Sequence, residues 1–219
     1  MAQRRHHYER AFEHYLRERR VPYVAVNEAR KALLPDSATL RVTRDGEESS
    51  LKSFDFVIYG DGGEGENLLV EVKGRRLASR KSTAAPAQVA SPDAARSRSK
   101  AAPRLENWVG ADDVASLAVW ERLFGPSFRG TFVFLYWCDD EPHSSLFEDV
   151  FEHAGRWYAV RAVFADDYAR HMRTRSPRWR TVCLDRPAFE SVSRRLCDVV
   201  DPDAATTPTG YPPPVAAAG

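Results

Sequence analysis

Ser53-Phe54-Asp55-Phe56-Val57-Ile58-Tyr59 and Asn67-Leu68-Leu69-Val70-Glu71-Val72-Lys73-Gly74 are the two runs on which the reading of this chain turns. Both are rich in β-branched and aromatic residues and read as strands. Asp61-Gly62-Gly63-Glu64-Gly65-Glu66 lies between them, a turn-rich gap that suggests a hairpin with a loose connection. Side chains alternate across a strand, so Glu71 and Lys73 share one face while Val70 and Val72 take the other. On the partner strand Asp55 interrupts an apolar run. A carboxylate beside a Glu and a Lys in a mostly apolar sheet is costly unless the three pair or hold a cation. The stretch therefore outlines a chemical site as well as a hairpin.

Upstream, residues 5–20 predict a helix. Tyr8, Phe12, Tyr15 and Leu16 recur at helical spacing, with charges on the other faces. Glu9 borders the apolar stripe, and Glu13 lies about 40° further out at ~100° per residue. Residues 21–26 predict a strand with Pro22 near its start, 28–34 a short helix, and 36–50 a loop or weak edge hairpin. Downstream, residues 77–103 are mostly Ala, Ser, Pro, Arg and Lys without apolar periodicity, and read as a disordered basic insertion. A helix follows, capped by Asp112 or Asp113 and stopped by Gly125-Pro126. Its buried side is predicted to be Val114, Leu117, Val119, Trp120, Leu123 and Phe124. The near-continuous apolar run at 130–137 suits a central strand covered on both faces. Beyond it the pattern gives a hairpin about Ala154-Gly155-Arg156, a helix over 166–174, a strand over 179–184 and a helix over 187–197 with Asp185 near its cap. The Pro/Ala/Thr tail, 201–219, reads as disordered.

The chain has 219 residues, 43% hydrophobic and 29% charged, which suits one soluble domain with a substantial core. No apolar run approaches the ~20 residues of a membrane span, and the N-terminal segment has no secretory apolar region. Three cysteines without a CxxC pair fit reduced thiols in a cytoplasmic protein and argue against a zinc site. The net charge of +1 is uninformative, but its distribution is not. From Val72 to Arg104 nine Lys/Arg face a single acid, Asp93, a local charge of +8.

The core order is helix, strand, strand, strand, helix, strand. This order, with an Asp on the second strand and Glu-x-Lys on the third, resembles the PD-(D/E)XK nuclease superfamily. Asp55 and Glu71-Val72-Lys73 stand sixteen residues apart. In the Holliday-junction-resolvase-like branch a Glu on the first helix is followed by apolar residues three and seven positions on. Glu9, Phe12 and Leu16 have that spacing. His7-Tyr8-Glu9-Arg10-Ala11-Phe12-Glu13 also resembles the signature of the bacterial HYExAFE family, over about residues 6–197 without the insertion. The Asp is preceded by Phe, where the superfamily's name has Pro.

The resemblance implies an α/β fold with a restriction-endonuclease-like αβββαβ core and a C-terminal α+β extension, one domain over 5–197. It also implies Mg²⁺ or Mn²⁺ held by Asp55, Glu71, the Val72 carbonyl and Glu9, with Lys73 orienting or deprotonating a water and offsetting transition-state charge. Asp55, Glu71, Lys73 and Glu9 are thus the catalytic candidates. Glu13, Glu28 and Arg30 are rim or second-choice positions.

Arg75, Arg76, Arg80, Lys81, Arg175 and Arg178 are candidates to bind nucleic acid, DNA being the implied partner, with a homodimer as an allowed state. Arg173, Arg175, Arg178 and Arg180 around Trp179 could grip phosphate and stack a base; equally, they could be a basic surface with Trp179 in the core. Asp139-Asp140-Glu141-Pro142-His143 reads as a solvated acidic loop. The function implied is a metal-dependent DNA endonuclease or structure-specific resolvase. The alternatives are a catalytically silent nucleic-acid-binding protein with the same fold, and a structural protein in which Asp55, Glu71 and Lys73 form only an ion-pair network.

Overall fold

The computed structural model describes residues 6–27, 41–44, 47–60, 66–77, 105–139, 141–142 and 149–200. The helix predicted at 28–34, the basic insertion beyond Leu77 and the tail from 201 lie outside them. So do Glu28, Arg30, Arg80 and Lys81. The chain is a mixed α/β structure.

Helix α1, His6–Glu18, is followed by strand β1, Tyr23–Ala25. A separate hairpin, β2 (Arg41–Arg44) with β3 (Glu47–Ser50), precedes β4 (Phe56–Ile58) and the long β5 (Asn67–Leu77). After β6, Val109–Gly110, come α2 (Ala111–Phe124) and β7 (Phe128–Cys138). The chain then forms β8 (Val150–His153), β9 (Arg156–Phe164), α3 (Ala165–His171), β10 (Arg173–Ser176), β11 (Thr181–Cys183), α4 (Arg186–Val192) and α5 (Cys197–Val200).

The main sheet has six strands in the order β1-β4-β5-β7-β9-β8. All neighbours are antiparallel except β5 and β7, which run parallel with α2 as the crossover between them. A three-stranded sheet, β10-β11-β6, stands apart.

Alternation along the strands assigns each face its cover. Phe56 and Ile58, Leu68 and Val70, Val133 and Leu135, Val160 and Ala162 pack in one cluster with Ala11, Phe12, Tyr15 and Leu16 of α1 and with α5. Phe12 and Leu16 are fully buried, each contributing about 1.5–3 kcal/mol. Val57, Leu69, Phe132, Phe134, Ala159 and Val163 face the other way, against α2, α3 and α4. The run around β7 is accordingly a central strand buried on both faces.

The boundaries correct several expectations. The strand read over 53–59 contracts to Phe56–Ile58, because Asp55 leaves the ladder. Helix α2 is capped by Gly110, and Asp113 instead accepts the Gly110 N–H at 3.1 Å from the third helical position. Leu123 and Phe124, placed on its buried side, are 65% and 39% exposed, and Gly125 ends the helix at φ 91°. The helix read over 166–174 stops at His171, where the chain turns into β10. The helix over 187–197 stops at Val192; Asp185 caps it by accepting the Ala188 N–H at 3.0 Å.

Candidate active site

Asp55 stands one residue ahead of β4. Its N–H donates to the Val70 carbonyl (2.8 Å) and its carbonyl accepts from Val26 N–H (2.9 Å), so its backbone is held between β5 and the end of β1. The side chain then takes a place a backbone carbonyl would occupy in a regular ladder: Oδ2 accepts the Val72 N–H at 2.7 Å. The charges of Glu71 and Lys73 both reach Asp55. Glu71 and Lys73 belong to the sheet face covered by α2.

On that face Lys73 is clamped. Its Nζ donates to Glu71 Oε1 and to Asp113 Oδ2, each at 2.7 Å. The three side chains are only 12–18% exposed. Asp113 arrives from the first turn of α2, and its other oxygen accepts from Lys52 Nζ, also at 2.7 Å. In the sequence Asp113 reads only as a helix cap, and nothing local to it signals that α2 docks it on Lys73. Of the three carboxylates Asp55, Glu71 and Asp113, two thus share the two ammonium groups. The one without an ion-pair partner among the described residues is Asp55.

The protonation equilibria follow. Burial, then the charge of Glu71, push the Asp55 carboxyl up to about 7 against the pull of the Val72 N–H; Glu9 adds to the rise and Lys73 opposes it. Burial also raises Glu71, with Lys73 opposing and Asp113 adding. For Lys73, burial works against the charged form, but Glu71 and Asp113 outweigh it and raise the pKa. Burial would raise Asp113 too, yet Lys73 and Lys52 hold it below the ordinary range.

Helix α1 accounts for the heptad residue by residue. His7 lies 3.3 Å from the Tyr158 hydroxyl and edge-on to Trp137. Tyr8 sits on Gly74 of β5 so closely that a Cβ there would lie 2.1 Å from the ring. Ala11 and Phe12 enter the core. Glu9 comes within electrostatic range of Asp55. Glu13 turns away, accepting from Arg17 (2.5 Å) and the Tyr23 hydroxyl (2.8 Å). It does not belong to the cluster.

The basic candidates divide. Arg75 is mostly buried, stacks 4.0 Å over Trp108 and donates to the Gly74 and Trp108 carbonyls, which makes it a poor phosphate contact. Arg76 is exposed, over Trp137 and paired with Asp139 at 3.1 Å. Arg175 leans on Trp108 and reaches Glu106 at 3.6 Å, and Arg178 lies over Trp179. Trp179 is 72% exposed and not a core residue. The three cysteines are free thiols.

Among the described residues no group of three His, Cys, Asp or Glu side chains has metal-ligand geometry. Mg²⁺ keeps several waters and commonly takes one or two carboxylates. The Asp55–Glu71 pair, hard oxygen donors with an unbalanced charge, fits such a hydrated ion and not a closed protein cage. No helix among the described residues is long and apolar enough to cross a membrane. Comparison with protein-family models, curated proteins and solved structures finds no match to this chain.

Proposed function

We propose that this chain is a metal-dependent nuclease of the PD-(D/E)XK kind, related to the HYExAFE proteins and acting on DNA. The observation that carries the reading is the convergence of three groups: Asp55 accepts the Val72 N–H, Lys73 pairs with Glu71, and the charges of Glu71 and Lys73 both act on Asp55. An α1-β1-β4-β5-α2-β7 order with β5 and β7 parallel across α2 agrees with it.

Asp55, Glu71 and the Val72 carbonyl would hold Mg²⁺ or Mn²⁺, with Glu9 close behind. Bound there, the ion supplies Lewis acidity toward a phosphoryl oxygen. The protein's own groups do the rest. Lys73 is the group placed to orient a water and to meet negative charge as it develops. Asp113 positions Lys73: by holding Nζ from the helix side, it sets where the ammonium stands relative to Glu71. The raised Asp55 carboxyl is about half protonated near neutrality, and a cation beside it would return it to the charged form.

The test is cleavage of linear, branched and single-stranded DNA with Mg²⁺, Mn²⁺ or EDTA. Asp55→Ala, Glu71→Ala and Lys73→Ala should each abolish metal-dependent cleavage in folded protein. A wild type that cuts nothing, and that gains no thermal stability from either metal, defeats the reading. A second reading has its own support: Lys73 is already satisfied by two carboxylates, as in a silent ion-pair network on a nucleic-acid-binding protein. DNA binding without turnover or metal response would select it.

A further inference from the structure

The sequence Arg173-Thr174-Arg175-Ser176-Pro177-Arg178-Trp179-Arg180 carries four cations and no acid. It folds as β10 and the tight turn that leads into β11, and three of the four β10 residues are exposed. Between Thr174 and Ser176 the ladder shifts register. The unpaired residue is Arg175, which goes to Trp108, as bulges re-aim side chains.

The turn itself is braced. Arg180 N–H donates to the Pro177 carbonyl (3.2 Å), and Trp179 N–H to Ser176 Oγ (3.3 Å). Arg180 adopts φ 47°, a conformation unfavourable for an L-residue, and its carbonyl accepts the Ala111 N–H at 2.8 Å. These contacts present Trp179, with 72% of its surface in solvent, and the Arg178 guanidinium 5.3 Å from its ring centre. Arg178 has no carboxylate partner among the described residues, whereas Arg173 and Arg180 reach Asp185 (3.8 Å) and Asp112 (2.8 Å) from exposed positions.

This tip adjoins the candidate site. β11 pairs with β6 through Thr181–Gly110 and Val182–Val109. Asp112, on Arg180, is followed directly by Asp113, on Lys73. The Arg-rich turn is thus linked to Lys73 through the first turn of α2.

We propose that the β10–β11 hairpin binds an unpaired stretch of DNA beside the Asp55–Lys73 site, Trp179 stacking on one base and Arg178 and Arg173 contacting its phosphates. The inference deepens the nuclease reading by naming a substrate with single-stranded character, and rests on it. Bases inside a duplex are stacked on each other and offer no free face. Trp179 therefore adds binding only for unpaired nucleotides, while the arginines attract both forms.

Binding of the full chain, in EDTA so that no turnover intervenes, separates the two readings. The probes are a labelled oligo-dT of about 15 nucleotides and a duplex of the same length. Trp179→Ala should weaken oligo-dT binding about five- to hundred-fold and duplex binding by less than about twofold, and Trp179→Phe should recover most of the loss. Equal losses on both probes, no loss on oligo-dT, or a wild type that binds neither would overturn the proposal. So would a change of sedimentation on Trp179→Ala with oligo-dT binding intact, which would make the tip a contact between copies. Trp179-dependent binding in a protein that cuts no DNA would uphold the hairpin's role while removing the nuclease reading.

Discussion

Replacing Asp55 by Asn removes one charge and keeps the shape and the acceptor for the Val72 N–H. In the folded chain Asp55 sits at about 7, against an ordinary 3.8, mainly from burial and the neighbouring Glu71. The folded state therefore binds the proton more tightly than the unfolded state. Stability falls as pH rises from near 4 through about 7 and is flat above. At about 1.4 kcal/mol per pH unit, keeping Asp55 ionised at high pH costs on the order of 4 kcal/mol.

Metal-free Asp55→Asn protein should accordingly be more stable than wild type at about pH 8, by up to that amount, or about 8–16 °C in Tm at this chain length. The gain should shrink to about 2 kcal/mol near pH 5 and vanish below about pH 4. Adding Mg²⁺ or Mn²⁺ should close the gap from the wild-type side, by about 2.7 kcal/mol at a hundred times Kd, and leave the variant unmoved. Urea unfolding at the two pH values, with and without metal, reads all of this. A variant equal to or less stable than metal-free wild type at the higher pH would refute the account of Asp55 as a surplus buried charge.

Lys73→Met leaves Glu71 and Asp113 facing each other without their shared cation, and should cost about 3–5 kcal/mol in urea unfolding while abolishing cleavage. Gly74→Ala must push the Tyr8 ring aside, so a loss of about 1–3 kcal/mol in thermal or urea unfolding is expected. Glu9→Gln should reduce metal-dependent cleavage about tenfold or more, whereas Glu13→Gln should leave the rate unchanged and cost about 1 kcal/mol through its bonds to Arg17 and Tyr23. Matched rate measurements on the two variants decide the assignment.

Local periodicity made much of this legible. Alternation in 67–74 put Glu71 and Lys73 on a common face, and helical spacing separated Glu9 from Glu13. What stayed hidden depended on long-range docking. Nothing near Asp113 in the chain announces Lys73, forty residues earlier. Asp149 is similar: it is buried in the α1–β8 contact, accepting from Tyr15 (2.6 Å) and Arg19 (2.7 Å), and no local pattern distinguishes it from a surface acid. Trp179 shows the converse limit. The sequence leaves it open between a stacking surface and the core, and the tight turn settles its exposure at 72%. The helices predicted over 166–174 and 187–197 stop at His171 and Val192, where the chain is taken up by tertiary pairing, β10 with β11 and Ala162 with Arg194.

Strand β5 writes two messages on one line: Leu68, Val70, Val72 and Gly74 for the α1 side, Leu69, Glu71 and Lys73 for the α2 side. Substitutions edit these messages one letter at a time. Deleting a single residue between Leu68 and Glu71 exchanges them, sending two ionised side chains into the aromatic packing under Phe12 and presenting valines where Asp113 and Lys52 wait. A saturation scan of this strand should therefore show alternating rows of tolerance, apolar then charged. Single-residue insertions and deletions should fail along its whole paired length, including at positions where every substitution survives.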